Sequence, residues 1–393
     1  MTAPDHHAAS SHRTIALESI DSVSLSAQTG LLTIDLEALV GNWRKLESRS
    51  VPAECAAVVK ADAYGCGLPA VATALAAAGC KTFFVATLNE ARAARAAAKS
   101  ATIYVLDGCL VGTAEVFAEI NARPVIGDLA ELAEWDAFCR RTGWTGGAAL
   151  HVDTGMNRLG LTMTEAQSLL PRVKSGSHGF TLVISHLACA EILGHQLNAK
   201  QLAAFHDIAQ AFSGIPTSLA ASSGIFLGPQ YQFDMVRPGA ALYGVNPTPE
   251  ADNPMQPVVD LKARIVQVRQ VERGDTVGYG ATWTARRPTR LAVVAAGYAD
   301  GYFRAAGGVD GVRSAEAMVA GRRCPVAGRI SMDLLAVDIT DLPANAVRRG
   351  HLVTLIGEGI TVDELGHHFG TIGYEVLTSL GHRFARVYRG GTP

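Results

Sequence analysis

Lys60 ends an apolar run, Ala56, Ala57, Val58 and Val59, and is followed by ADAYG. An amine held at the rim of an apolar barrel is poorly solvated, so its pKa falls and it becomes competent for Schiff-base chemistry with an aldehyde. A strand-end lysine that merely snorkels to the rim would look the same in isolation, so its surroundings decide. Polar residues recur at other predicted strand ends: His151 and Arg158, His186, Ser223 and Arg237. The segments SSG (222–224) and RPGA (237–240) consist largely of small residues that let backbone N–H groups reach an anion. A lysine on one rim, an anion cradle opposite and an arginine between them suit an aldehyde phosphate, pyridoxal 5′-phosphate (PLP).

The elements that must position these groups alternate regularly. Eight apolar runs read as strands: 58–60, 82–86, 102–106, 123–127, 148–152, 181–186, 218–222 and 234–237. Helical patterns fill most gaps. Pro69 opens one helix and Gly79 closes it. Asp128 with Glu131, and Asn198 with Gln201, resemble capping boxes that start two others. Eight strands alternating with helices over about 200 residues predict an α/β fold, a closed (β/α)8 barrel with its site at the C-terminal ends of the strands. No GxGxxG follows the first strand, which disfavours an open doubly wound sheet. After about residue 250 the texture becomes strand-like (ARIVQVRQV, RLAVVAAGYA, LLAVDIT, HLVTLIG), with helices only at TVDELGHHF and YEVLTSL. The organisation expected is a loose tail at 1–28, a barrel at 29–255 and a mostly β domain at 256–393.

The chain has 393 residues, 48% of them hydrophobic, and a net charge of −2. It can bury a large core, and it carries neither the basic surface of a nucleic-acid binder nor an apolar stretch of membrane-spanning length. The N-terminal segment lacks the basic-then-apolar pattern of a secretory signal. Seven scattered cysteines without a CxxC suit a reducing cytoplasm better than a disulfide framework or a metal site.

VVKADAYGCG resembles the PLP-lysine signature of alanine racemases, a family of fold type III PLP enzymes. Further matches follow in order: HVDTGMNRLG, ISHLACAE, MVRPGAALYG, VGYGATW, GYADG, GRISMD and TIGYEV. The resemblance runs from about Leu32 to Tyr388. It implies that Lys60 carries PLP covalently and that Tyr64, Ser223, Tyr374 and the backbone N–H groups of Gly239 and Ala240 hold its phosphate. Arg237 would face the pyridine nitrogen and His186 would contact Arg237. Arg158 would approach the ring hydroxyl and the substrate carboxylate. The family forms head-to-tail homodimers, so Tyr279 and the backbone N–H of Met332 would reach the other subunit's site. Lys60 and Tyr279 would then be the two acid/base groups that racemisation requires on opposite faces of a planar carbanion.

The activity implied is interconversion of L- and D-alanine, supplying D-alanine for peptidoglycan. A racemase of serine or several small amino acids is the nearest alternative. A basic amino-acid decarboxylase of the same fold is another, although it needs no second proton acceptor such as Tyr279. A non-catalytic PLP carrier would not need the second domain. Five positions depart from the family pattern: His151 for a lysine that is carbamylated, Cys66 for histidine, Ser222 for asparagine, Leu334 for a polar residue and Gly373 for asparagine. The last is expected to loosen the wall on the substrate side.

Overall fold

The computed structural model describes residues 24–176, 179–312 and 314–391. Most of the expected 1–28 tail lies outside the described residues. Strand β1 (Gly30–Asp35) leads into the helix Leu36–Ser50, capped by Asp35 Oδ1 accepting from Ala38 N at 2.9 Å. Leu36, Leu39, Trp43 and Leu46 recur at helical spacing along it and are buried.

The barrel follows. Its strands are β2 (Glu54–Cys55), β3 (Ala57–Val58), β4 (Thr82–Val85), β5 (Thr102–Val105), β6 (Arg123–Ile126), β7 (Ala148–His151), β8 (Phe180–Ile184), β9 (Thr217–Ser218) and β10 (Met235–Val236). Strands β3 to β9 pair in chain order, each parallel to the next. Strand β10 closes the ring. It pairs parallel with β2, which runs into β3 through Ala56. On its other side Asp234 N donates to Thr217 O and Arg237 N to Ala220 O. Strands β3 to β10 each overlap a predicted apolar run, because parallel strands covered on both faces need nearly continuous hydrophobicity; β2 has no predicted counterpart, and the run read at 58–60 ends at Val58, with Lys60 opening the next turn.

Inward side chains from most staves, Val58, Phe84, Tyr104, Val125, Ala149, Leu182 and Met235 among them, form one buried cluster. This plug fills the barrel interior beneath the C-terminal strand ends, where barrel enzymes place their sites.

The predicted strand-rich region is present. Its long strand β11 (Val259–Val271) pairs antiparallel with β12 (Thr289–Val294), with β16 (Leu352–Ile356) and with β1. Strands β13 (Glu316–Val319) and β14 (Arg322–Pro325) form a hairpin, β15 (Leu335–Asp338) pairs with β12, and β17 (Ala385–Arg389) runs parallel to β1. Strand β1, at the head of the segment assigned to the barrel, therefore lies in the sheet of the C-terminal strands. The helices Val362–Phe369 and Gly373–Ser379 fall where they were expected.

One helix start differs from expectation. The helix read from Asn198 begins at Gln196, with His195 Nδ1 accepting from Leu197 N. Asn198 and Gln201 are buried within it. They reach the loop after β8: Asn198 Nδ2 donates to Cys189 O and Ile192 O, while Gln201 holds Ala188 N and His186 O.

Candidate active site

A cavity of about 600 Å³ opens above the barrel plug. Lys60, Tyr64, His151, Arg158, His186, Ser223, Arg237, Gly239, Ala240 and Tyr374 all line it, so ten of the expected site residues converge from loops spread over more than 300 positions. Tyr279 and Met332 do not. They lie on the strand-rich part, 67% and 53% exposed, outside this chain's own cavity.

Lys60 begins an unusual turn. Ala61, Asp62, Ala63 and Tyr64 all have φ between 52° and 55°, one turn of left-handed helix built without glycine. Such backbone costs about 1–2 kcal/mol per residue, so surrounding contacts must hold it. The Glu90 carboxylate accepts from Ala61 N at 2.6 Å and also from Ala86 N and Thr87 N. Asp62 Oδ1 accepts from Leu68 N at 2.7 Å. Gly65 closes the turn at φ 80°, and a Cβ there would lie 2.5 Å from Leu377 O. The Lys60 amine is held below the ordinary lysine pKa, first by burial and then by the Arg158 charge, with Asp107 and Glu90 opposing.

Across the cavity, Ser222 Oγ accepts from Gly239 N at 3.0 Å and from Ala241 N at 3.2 Å. The Gly239 amide, expected on a phosphate, is thus engaged by the serine that stands for the family's asparagine. The short 3-10 turns Ser223–Phe226 and Ala240–Tyr243 both begin at the cavity wall. A Cβ on Gly239 would collide with the Tyr64 hydroxyl, so only glycine lets that phenol close over the cradle. Tyr64 stacks on Tyr243 at 4.6 Å, and Tyr243 donates to Val58 O. Small, polar and backbone-rich, this wall fits an anionic group, and the depressed amine opposite fits an aldehyde.

Arg237 is buried, its guanidinium donating to Ser185 O at 2.6 Å and Ser218 O at 2.8 Å. Burial lowers its pKa to about 10, and it stays cationic at neutral pH. No hydrogen bond joins it to the His186 side chain among the described residues; one of its nitrogens goes to the neighbouring Ser185 carbonyl, and its charge still acts on that imidazole. Arg158 follows a loop whose amides at 155–157 donate to the Asp153 carboxylate. Its guanidinium has no carboxylate partner among the described residues and remains available to an incoming one. Burial and the two arginine charges push His151 down to about 4 and His186 to about 3, so both imidazoles are neutral near pH 7.

The histidine shifts fix a pH dependence. The unfolded chain takes up these protons near pH 6.5 while the folded chain refuses them until about pH 4 and 3. Stability contributed by the neutral histidines is therefore complete above pH 6.5 and lost as the pH falls from there towards 3. Thermal melts between pH 7 and pH 4 should show a falling midpoint, with a smaller slope in His186→Gln.

Glu131 is the counterpart of Glu90 two staves on. Asp128 does cap its helix, but the Glu131 carboxylate accepts from Cys109 N at 2.5 Å and Gly127 N at 3.0 Å, tying the loops after β5 and β6 together. The sequence marks Glu90 and Glu131 only by their places in helix first turns and Gln201 by its spacing from Asn198; their bonds to neighbouring loops leave no local pattern. Gly373 also differs from expectation. Its Cβ position faces Asp363, Val245 and Val362, so this glycine does not border the cavity and does not widen it. Asp300, in the turn Tyr298–Asp300 of GYADG, is buried, accepts from Gly297 N and pairs with Arg383.

A parallel barrel whose strand ends gather a depressed lysine, an anion cradle and an unpaired arginine defines a barrel enzyme built for carbonyl–amine chemistry on an anionic ligand. Comparisons with known proteins narrow this. The model of the alanine racemase N-terminal domain matches residues 34–247, and that of the C-terminal domain matches 258–388. An alanine racemase of Methylobacterium nodulans is 53% identical over 93% of this chain and 98% of its own length. A biosynthetic alanine racemase of Agrobacterium fabrum is 45% identical over 91% and 93%. The crystal structure of an alanine racemase from Bartonella henselae, with covalently bound pyridoxal phosphate, superposes with a TM-score of 0.86 at 38% identity, covering 92% of this chain and 99% of that one. The chain belongs to the alanine racemase family.

Proposed function

We propose that this chain is a PLP-dependent racemase that interconverts L- and D-alanine. The observation that carries the reading is the meeting, in one cavity, of Lys60 on its strained turn, the Ser222–Ser223 cradle and the unpaired Arg158. Lys60 would bind the cofactor's aldehyde. Tyr64, Ser223, Ala240 and Tyr374 would surround its phosphate, and Gly239, whose amide Ser222 holds, would line the same wall. When bound, PLP supplies the electron sink that makes an amino acid's α-proton removable. Arg237, cationic at neutral pH, would face the ring nitrogen and disfavour its protonation. Arg158 pairs with the substrate carboxylate and sets which bond at Cα stands free for proton transfer.

Proton transfer at the two faces is assigned to Lys60 and to Tyr279 of the partner subunit. Two apolar faces support a homodimer. Leu110, Val111, Leu159 and Leu193 are exposed on the loops that follow the barrel strands, and Tyr279, Tyr298, Met332 and Leu334 on the strand-rich part. Head-to-tail pairing would cover both and bring Tyr279 and the Met332 amide of one subunit to the other's cavity.

The division at 255/256 falls between the two family-matched segments and is part of the same reading, as are a cytoplasmic location and D-alanine supply for peptidoglycan. Among the described residues no helix is long and apolar enough to cross a membrane. A panel of amino acids tested in D2O for loss of optical activity, Cα deuteration and CO2 release checks the reading. Alanine should racemise and deuterate without CO2. Equal rates on serine would make the enzyme a broader racemase, and CO2 release would make it a decarboxylase.

A further inference from the structure

The left-handed turn 61–64 is gripped at both ends by residues that do not touch the cavity. At its start the Glu90 carboxylate accepts from Ala61 N, the amide next to Lys60, and the same carboxylate takes Ala86 N and Thr87 N after β4. At its end Arg386, on β17, donates to Gly65 O from both Nε (3.1 Å) and Nη2 (3.0 Å). The same guanidinium reaches Leu380 O and Gly381 O, just beyond the helix that carries Tyr374. One end of the lysine turn is thus fixed to the barrel, and the other to the last strand of the C-terminal sheet.

We propose that Glu90 and Arg386 are positioning residues that together hold the left-handed turn in the conformation that aims Lys60 into the cavity, so that the last strand of the chain takes part in covalent attachment of the aldehyde cofactor. The proposal rests on the assignment of Lys60 as the cofactor lysine. Four non-glycine residues at positive φ do not keep that conformation unaided. Released at either end, they would relax towards right-handed or extended backbone and redirect the lysine. The two grips share no hydrogen-bond partner among the described residues and meet through the turn, so losing the second after the first should matter little.

The test follows attachment itself rather than turnover. Full-length chain freed of cofactor is mixed with PLP, quenched with borohydride at intervals, and the modified Lys60 peptide is quantified by mass. Glu90→Gln and Arg386→Met should each slow labelling by about tenfold, and the double variant by little more than the slower single. Adding Ala61→Gly to Glu90→Gln should restore most of the rate, because glycine adopts positive φ without penalty. That exchange removes one exposed methyl and cannot repair the lost bonds to Ala86 and Thr87. Rescue therefore separates a hold on the turn from a general loss of structure.

Arg386→Lys, which keeps the charge but not the fork, should fall between wild type and Arg386→Met. Labelling of Glu90→Gln at the wild-type rate, slow labelling that Ala61→Gly does not improve, or multiplicative effects in the double variant would each overturn the proposal. Failure of the wild-type chain to label at Lys60 at all would instead overturn the cofactor assignment, and this inference with it.

Discussion

Lys60→Ala should reduce alanine racemisation by about ten-thousand-fold or more, the upper range for loss of a positioned general base, with a further loss from the missing covalent anchor. The protein should still fold. The amine is partly buried, below its ordinary pKa and beside the Arg158 charge. Removing it takes away an unfavourable cation without opening a hole in the barrel plug, which is made by Val58 and Phe84 beneath it. The thermal midpoint of the cofactor-free variant should therefore be no lower than that of the cofactor-free wild type. Residual PLP binding, weaker and not fixed by borohydride, should persist on the cradle formed around Ser222, Ser223 and Gly239. A variant that kept measurable racemisation and a borohydride-stable adduct elsewhere would show that another amine does the work.

Tyr279→Phe should lower racemisation by about a hundred- to ten-thousand-fold, and its signature should be asymmetric. With the phenolic oxygen gone, one face of the substrate loses its acid/base group while Lys60 still serves the other. One enantiomer of alanine should go on exchanging its Cα proton with D2O, and the other should exchange as slowly as it racemises. Proton NMR of each enantiomer incubated separately reads this directly. Tyr279 is 67% exposed in the single chain, so the change should cost the subunit's fold no more than about 0.5 kcal/mol. Equal loss of exchange for both enantiomers would remove Tyr279 from a face-specific role.

The fold and most of the cavity's residues are legible in the sequence, but unevenly. The barrel staves are parallel and buried, and a buried stave such as Thr82–Val85 or Thr102–Val105 needs hydrophobicity at nearly every position. Helix ends were legible where the signal is confined to a few residues, as at Gly79 and Asp128. Strand β1 in the C-terminal sheet was not, because its partner β17 lies some 350 residues away and LLTIDL looks the same on either neighbour. The left-handed turn after Lys60 was hidden for a different reason. Positive φ is normally announced by glycine or asparagine, and here alanine and tyrosine adopt it under tertiary restraint from Glu90 and Arg386. Glu131 and Gln201 resemble caps because the sequence pattern is local, whereas their side chains bond across to neighbouring rim loops. Gly373 was placed beside the substrate by its neighbour Tyr374, yet helical geometry turns adjacent residues about 100° apart and sends it to Asp363.

Mixing two inactive chains puts the shared-site arrangement to its plainest trial. Lys60→Ala and Tyr279→Phe, each retaining about a hundredth of wild-type activity or less, are unfolded together, refolded in equal amounts and assayed for conversion of L-alanine to D-alanine. Random pairing makes half the dimers mixed, and each mixed dimer rebuilds one intact site of two, so about a quarter of the wild-type activity should return. Mixed dimers that form, as judged by differently tagged chains purifying together, yet remain as inactive as their parents would contradict a site completed across the subunit boundary.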